Sequence, residues 1–360
     1  MFILPALHGG GAERVMLTLV KHIDRGKFTP IFVLLKKEGK FLGQVPSDIE
    51  IIDLQASQAR YAIFKIIKII KKQKPNIVFS TLGHLNLLMA MIRPFFSKKI
   101  KFISRESNTV SIENQGEKYP RLFDFLYKKI YNNFDLIITQ SEYMKKDLVE
   151  NYQTDPSKAV VIYNPVDIEN IENRLTKLNK TFFDNKKINL LAVGRLSNQK
   201  GFDILIKTVS LLDQKYHLTI LGEGEDKESL INQIKILELD NRITLAGFTN
   251  NPYPYMLYCD LFILSSRYEG LPNVVLETNT CGTPVVAVNS PGGTAEIIKD
   301  GVNGILTAKL DPQELANDIK KATKYKFNTY EIKEYIRKNF NVKKIVKEYE
   351  KVITNIKIDN

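Results

Sequence analysis

The chain of 360 residues has only two cysteines, Cys259 and Cys281, each in an apolar segment and without metal-ligand spacing. A disulfide scaffold is excluded, and a reducing compartment fits. No apolar run reaches the roughly 20 residues that span a bilayer, and no secretory leader is read. The expectation is a cytoplasmic protein, at most peripheral on the cytosolic face of the inner membrane. The GxGxxG fingerprint is missing, which disfavours a nicotinamide-dependent reductase. No DxD triplet occurs, so the expected metal and cofactor content is none. No RNA- or DNA-binding module is recognisable, and nucleic acid is not expected as a partner.

What the chain does have is alternation, with 44% apolar residues. Seven apolar strands, from 2–7 to 159–163, alternate with helical stretches, and six more, from 188–194 to 304–307, do the same. This predicts an α/β protein with two doubly wound, Rossmann-like parallel sheets. The first domain is 1–165. A polar stretch, 166–187, entered through Asn164 and Pro165, reads as a linker. The second domain is 188–329, and a last helical stretch, 330–360, lies beyond its sheet.

The segment EGLPNVVLE sets Glu269 and Glu277 eight residues apart across the turn from a strand into a helix beginning near Pro272. Proline suits a first helical turn, and the amides of Asn273, Val274 and Val275 then point outward at a helix start that holds phosphate. Glu269 and Glu277 would accept from hydroxyls on either side of it, as a nucleoside diphosphate sugar requires. Two glutamates alone also fit a helix cap and a solvated helix residue. In GRLSNQKG (194–201), Arg195 and Lys200 follow another strand and face the crevice at its carboxyl end, where they suit a diphosphate; two surface charges are the plain alternative. In HGGGAERV (8–15), Gly9, Gly10 and Gly11 let backbone approach a phosphate, or merely turn a strand tightly into a helix.

HGGGAERV, GRLSNQKG, LGEGEDKESL (221–230), SSRYEGLPNVVLE and SPGGTAEII (290–298) in this order resemble the retaining glycosyltransferases of family 4, over nearly the whole chain. The resemblance implies the GT-B fold, two Rossmann-like domains facing across a cleft, with the last helix crossing back to the first. It implies a donor-binding set of Arg195, Lys200, Gly222, Phe248, Glu269, Gly270, Leu271, Pro272, Asn273, Val274, Val275 and Glu277. Arg195 and Lys200 would oppose the charge developing on the leaving diphosphate, with Glu269 at the donor sugar, and these three are the catalytic candidates. Glu277 would hold the ribose.

One departure concerns the first domain, where many relatives place a histidine and this chain reads SRESN (104–108). Arg105, Glu106 and Asn108 there, with Gly9, Gly10, Gly11, Arg14 and His84, form the expected acceptor or phosphate-approach set; a structural pairing of Arg105 is the alternative. His8 also sits at a strand end. The catalytic base stays unassigned.

Charge locates the acceptor half. Residues 1–180 hold 28 Lys and Arg against 18 Asp and Glu, whereas 181–360 hold 24 against 22. The excess concentrates in RYAIFKIIKIIKKQK (60–74) and RPFFSKKIK (93–101), which suit an anionic membrane surface at about 1 kcal/mol per cation, or a solvated lysine-rich face. The function expected is metal-independent transfer of a hexose or N-acetylhexosamine, with retention, from a nucleotide-sugar donor to a lipid-linked or cell-surface glycan acceptor, a UDP-linked donor being favoured over a GDP-linked one. A UDP-sugar epimerase and a non-catalytic nucleotide-sugar-binding protein are the alternatives.

Overall fold

The computed structural model describes residues 1–175 and 183–356. The chain divides into two units, Met1–Pro165 with Val342–Asn360, and Val166–Asn341.

The first unit is built on β1 (Phe2–Leu4), β2 (Ile31–Leu34), β3 (Glu50–Asp53), β4 (Ile77–Thr81), β5 (Lys101–Arg105), β6 (Leu136–Thr139) and β7 (Ala159–Val161). They form one parallel sheet in the order β3-β2-β1-β4-β5-β6-β7. Apolar, mostly β-branched runs such as IFVL and LIIT make strands that are buried on both faces, as a parallel sheet covered by helices requires. One face packs against Ala62, Ile66 and Ile70, spaced four apart on helix Ala59–Gln73, and against helices Gly83–Ile92 and Pro120–Ile130. The other packs against Met16, Leu19 and Val20 of helix Gly11–His22 and Ile345, Val346, Tyr349 and Ile353 of helix Val342–Asn355.

The second unit carries β8 (Ile188–Val193), β9 (Tyr216–Leu221), β10 (Ile243–Gly247), β11 (Leu261–Leu264), β12 (Val285–Val288) and β13 (Gly304–Thr307). Its parallel order is β10-β9-β8-β11-β12-β13. The strand order reverses between β1 and β4 in one sheet and between β8 and β11 in the other. Loops leaving neighbouring strands in opposite directions open a crevice at each reversal, where ligands of such sheets bind.

Two boundaries differ from expectation. Residues 168–175 of the expected linker form helix Ile168–Leu175, and Val166 bridges Asn341 within the second unit. Buried Ile168 and Ile171 give that polar stretch an apolar stripe too short to stand out in the sequence; residues 176–182 lie outside the described residues. The expected final helix is two, Thr329–Phe340 in the second unit and Val342–Asn355 in the first, separated by the extended Asn341. The stripe Ile332, Ile336, Phe340 loses its phase there before resuming at Val342. Among the described residues no helix is long and apolar enough to cross a membrane.

Candidate active site

The second unit's reversal point is closed by two loops that fold onto each other. Residues 194–201 leave β8 and residues 265–272 leave β11. Gly201 adopts φ +62°, and a Cβ there would run into the Ser265 carbonyl, so only glycine allows this approach. The Arg267 amide donates to Gln199 O (2.7 Å), Gln199 Nε2 to Tyr268 O (3.1 Å), and Ser265 Oγ to Lys200 O (2.9 Å). Arg267 also grips Asp203 through two bonds of 2.8 and 2.7 Å, and that hydrogen-bonded pairing holds the Asp203 carboxyl below its ordinary pKa.

This clamp brings Lys200 Nζ to 2.6 Å from Glu269 Oε1, which also accepts from Ser266 Oγ at 2.6 Å. Glu269 is buried. Arg195 stands in the same loop, exposed and without a partner among the hydrogen bonds and ion pairs of the described residues. A third loop backs Glu269: its amide donates to Pro291 O (2.9 Å), Gly293 N–H donates to Gly270 O (2.7 Å), and Gly292, at φ +126°, abuts the Glu269 backbone. Gly222 lies against the Gly194 carbonyl and donates to Gly247 O at 2.8 Å; Phe248, the next residue, is exposed.

Helix Asn273–Cys281 starts at this point with Pro272 as its N-cap, preceded by buried Gly270 and Leu271. One expectation is corrected: the Val275 amide donates to Pro272 O at 3.0 Å, so the proline carbonyl tightens the first turn and takes one of the three amides expected to face a ligand. Asn273 and Val274 are half-buried there. Glu277 is buried rather than solvated, and its charge adds to burial in pushing the Cys281 thiol up to about 12.

The first unit treats its expected residues differently. The Gly9 and Gly10 amides both donate to Glu13 Oε2, at 2.8 and 2.6 Å, so the chain's own carboxylate fills the place assigned to a phosphate, as a glutamate in the first helical turn is able to do. Gly11 is exposed at the start of that helix, and the Arg14 guanidinium lies 5.3 Å from the Phe41 ring centre. Arg105, expected to contact substrate, is fully buried and donates from Nε to Tyr349 Oη (3.1 Å) and from Nη2 to Asn164 Oδ1 (2.5 Å). Its direction follows from the strand: Arg105 ends β5 and points to the opposite face from its neighbours, among the residues of helix Val342–Asn355.

Glu106 is also fully buried, which corrects its expected contact with a ligand surface. Its Oε1 accepts from Asn86 Nδ2 (2.9 Å), its Oε2 has no hydrogen-bond partner among the described residues, and burial pushes its pKa up to about 8. Asn108 is half-buried, with Oδ1 accepting from the Thr109 amide at 3.2 Å. His84 is exposed, stacks on Phe123 and bonds Glu117 Oε1 at 2.7 Å; His8 is exposed beside Glu38.

Sequence reading missed Ser266, the Arg267–Asp203 clamp and Glu13. Asp203 stands two residues beyond GRLSNQKG and Arg267 lies inside SSRYEGLP, but nothing in either motif pairs them across 64 positions.

The arrangement is a candidate site at the carboxyl ends of β8 and β11, where open α/β sheets bind their ligands. The Glycosyltransferase Family 4 model matches residues 9–170, and the Glycosyl transferases group 1 model matches residues 173–340. The chain is 32% identical, over 84% of its length and 83% of the relative's, to N-acetylgalactosamine-N,N'-diacetylbacillosaminyl-diphospho-undecaprenol 4-alpha-N-acetylgalactosaminyltransferase of Campylobacter jejuni. It is 25% identical to an amylovoran biosynthesis glycosyltransferase of Erwinia amylovora, over 87% of this chain and 89% of that one. Among solved structures, Anabaena HepE in complex with UDP-glucose superposes with a TM-score of 0.81 at 22% identity, covering 98% of each chain. The chain belongs to glycosyltransferase family 4, and it is a glycosyltransferase of the GT-B fold.

Proposed function

We propose that the chain transfers a hexose or N-acetylhexosamine, with retention, from a UDP-sugar to a lipid-linked glycan on the cytosolic face of a bacterial inner membrane. The carrying observation is the Lys200–Glu269 pair beside exposed Arg195 at the β8/β11 reversal. Arg195 and Lys200 meet the diphosphate, whose negative charge grows as the anomeric bond breaks, and they stabilise it in place of a metal. A phosphate arriving at Lys200 shares the ammonium with Glu269, and the glutamate then faces the donor sugar hydroxyls. Glu277 receives the ribose, Phe248 borders the nucleobase, and Gly222 and Gly292 supply backbone close to the ligand. In the first unit, Gly11, Arg14, His84 and Asn108 are the acceptor-facing candidates, with Arg105 and Glu106 supporting them from within.

The Campylobacter relative is named for a diphospho-undecaprenol acceptor, and the Anabaena neighbour holds UDP-glucose. Both support the choice of donor and acceptor class. The test is a panel of UDP- and GDP-sugars with EDTA, with and without native lipid extract, read as nucleotide diphosphate release and as the anomeric configuration of the product. Release from a UDP-sugar that rises with lipid supports the proposal. Free sugar epimers without transfer, or binding without release, would replace it with an epimerase or a binding protein. Loss of release on adding EDTA would refute the metal-independent step.

A further inference from the structure

Seven large apolar side chains stand exposed on one helical layer of the first unit: Tyr61 and Phe64 of helix Ala59–Gln73, Met91 of helix Gly83–Ile92, Phe95 just beyond it, and Tyr119, Leu122 and Phe125 at helix Pro120–Ile130. Phe64 is 81% exposed, Phe95 75% and Phe125 55%. Six such side chains are exposed on all the rest of the described chain. The three helices adjoin in sequence order and share one core beneath them, so their outer sides form a continuous face. Clustering of this kind marks an interaction surface rather than the scattered apolar residues of any soluble protein.

Charge identifies the occupant. Residues 59–74, 93–101 and 118–130 carry fourteen Lys and Arg, of which Arg93 and Lys101 are buried, and a single acid, Asp124; the neighbouring Glu117 is paired with His84. Asp124 is turned inward, where it accepts from Asn114 and from Tyr152 Oη. On helix Pro120–Ile130 the exposed positions are therefore Arg121, Leu122, Phe125, Lys128 and Lys129: an apolar pair between cations. On helix Ala59–Gln73 the same order recurs, with Tyr61 and Phe64 beside Lys68, Lys71 and Lys72. Apolar side chains that enter the acyl boundary while lysines stay at the headgroups are what an in-plane interfacial helix presents to anionic lipid.

We infer that helix Pro120–Ile130 is a membrane-insertion element, lowering Leu122 and Phe125 into an anionic bilayer alongside Phe64 and Phe95. This rests on the proposed lipid-borne acceptor and extends it: basic residues draw the first unit to the surface, and the apolar residues hold it there. The sequence motifs located cations at 60–74 and 93–101 but not this third helix, whose central Asp124 separates two pairs of cations and is turned inside only by the fold.

The chain contains no tryptophan, so Phe125→Trp provides a single reporter in the full-length protein. With vesicles of phosphatidylcholine and phosphatidylglycerol, free of glycan lipid, its emission shifts to the blue and is quenched by lipids brominated along the acyl chain. Flotation of Leu122→Ser/Phe125→Ser on the same vesicles falls at least tenfold, while acceptor-free nucleotide diphosphate release and the circular dichroism spectrum are unchanged. Absence of quenching in the Phe125→Trp protein, or flotation of the double serine variant equal to wild type, overturns the inference. So does self-association that the serine variant abolishes in the absence of flotation, which would make the face a contact between copies. Vesicle insertion without any sugar transfer removes the enzymatic proposal alone; lipid-stimulated transfer without insertion removes this one alone.

Discussion

Lys200 Nζ and Glu269 Oε1 meet at 2.6 Å across 69 residues of sequence, joining the loop that follows β8 to the loop that follows β11. Both side chains are largely shielded from water, and each is the other's charge partner. Removing only the lysine leaves a buried carboxylate uncompensated, the costly half of such a pair. Lys200→Met is expected to lose about 3–5 kcal/mol of stability in urea unfolding. Lys200→Met/Glu269→Gln is expected to recover most of that, while nucleotide diphosphate release stays at least ~100-fold down. Turnover near wild type in the stable double variant would exclude the pair from catalysis.

Gly292 offers a test of backbone placement without touching any charge. Its φ of +126° and the Glu269 carbonyl against it leave no room for a methyl group. Gly292→Ala is expected to displace the Glu269 backbone, to cost about 1–3 kcal/mol, and to lower kcat for sugar transfer more than it lowers the melting temperature of the first unit's core. Hydrogen exchange followed at β11 and at helix Gly11–His22 separates the two effects.

Glu106 sets a pH dependence in the first unit. Burial raises its folded pKa from an ordinary 4.5 to about 8, so the folded chain holds a proton that the unfolded chain releases. The stabilisation is full below pH 4.5 and is lost as pH climbs through 8. Glu106→Gln mimics the protonated form and is expected to flatten this slope between about pH 5 and 9, raising the melting temperature relative to wild type most at the alkaline end. Parallel melting curves for the two proteins across that range would show that Glu106 is ionised in the folded state.

The sheets and the second unit's loops were legible because their signals are local. Strand and helix periods differ, and glycine, proline and charge fall at the strand ends where GRLSNQKG and EGLPNVVLE turn. What stayed hidden was the direction of side chains fixed by distant partners. Arg105 and Glu106 read as acceptor contacts at a strand end, or Arg105 as paired with Glu106 or nearby backbone, yet their partners are the remote Tyr349 and Asn86. The Gly9 and Gly10 amides read as open until Glu13 is seen to fold back onto them. Spacing carries the existence of an element; it does not carry the phase at which two remote elements meet.

Tyr349 is the partner that Arg105 finds across 244 residues. Tyr349→Phe keeps the ring and removes the hydroxyl, leaving a fully buried guanidinium short of a second acceptor beside the unpartnered Nη1. The expected cost is about 1–3 kcal/mol, measured by urea unfolding. Amide exchange along helix Val342–Asn355 is expected to accelerate, while exchange in β8 and β11 holds. No change in either would reduce the contact to a bystander.

That tyrosine also sets a schedule. Residues 1–165 leave the ribosome with one side of their sheet still lacking Ile345, Val346, Tyr349 and Ile353. The whole second unit, contiguous in sequence from 166 to 341, is synthesised before those side chains arrive. The nascent chain therefore carries a sheet with one face only partly covered while the whole second unit is made, and the last unit to begin is the first able to finish. A nascent chain stalled before residue 342 should thus be cut by protease in its first 165 residues while residues 188–324 resist.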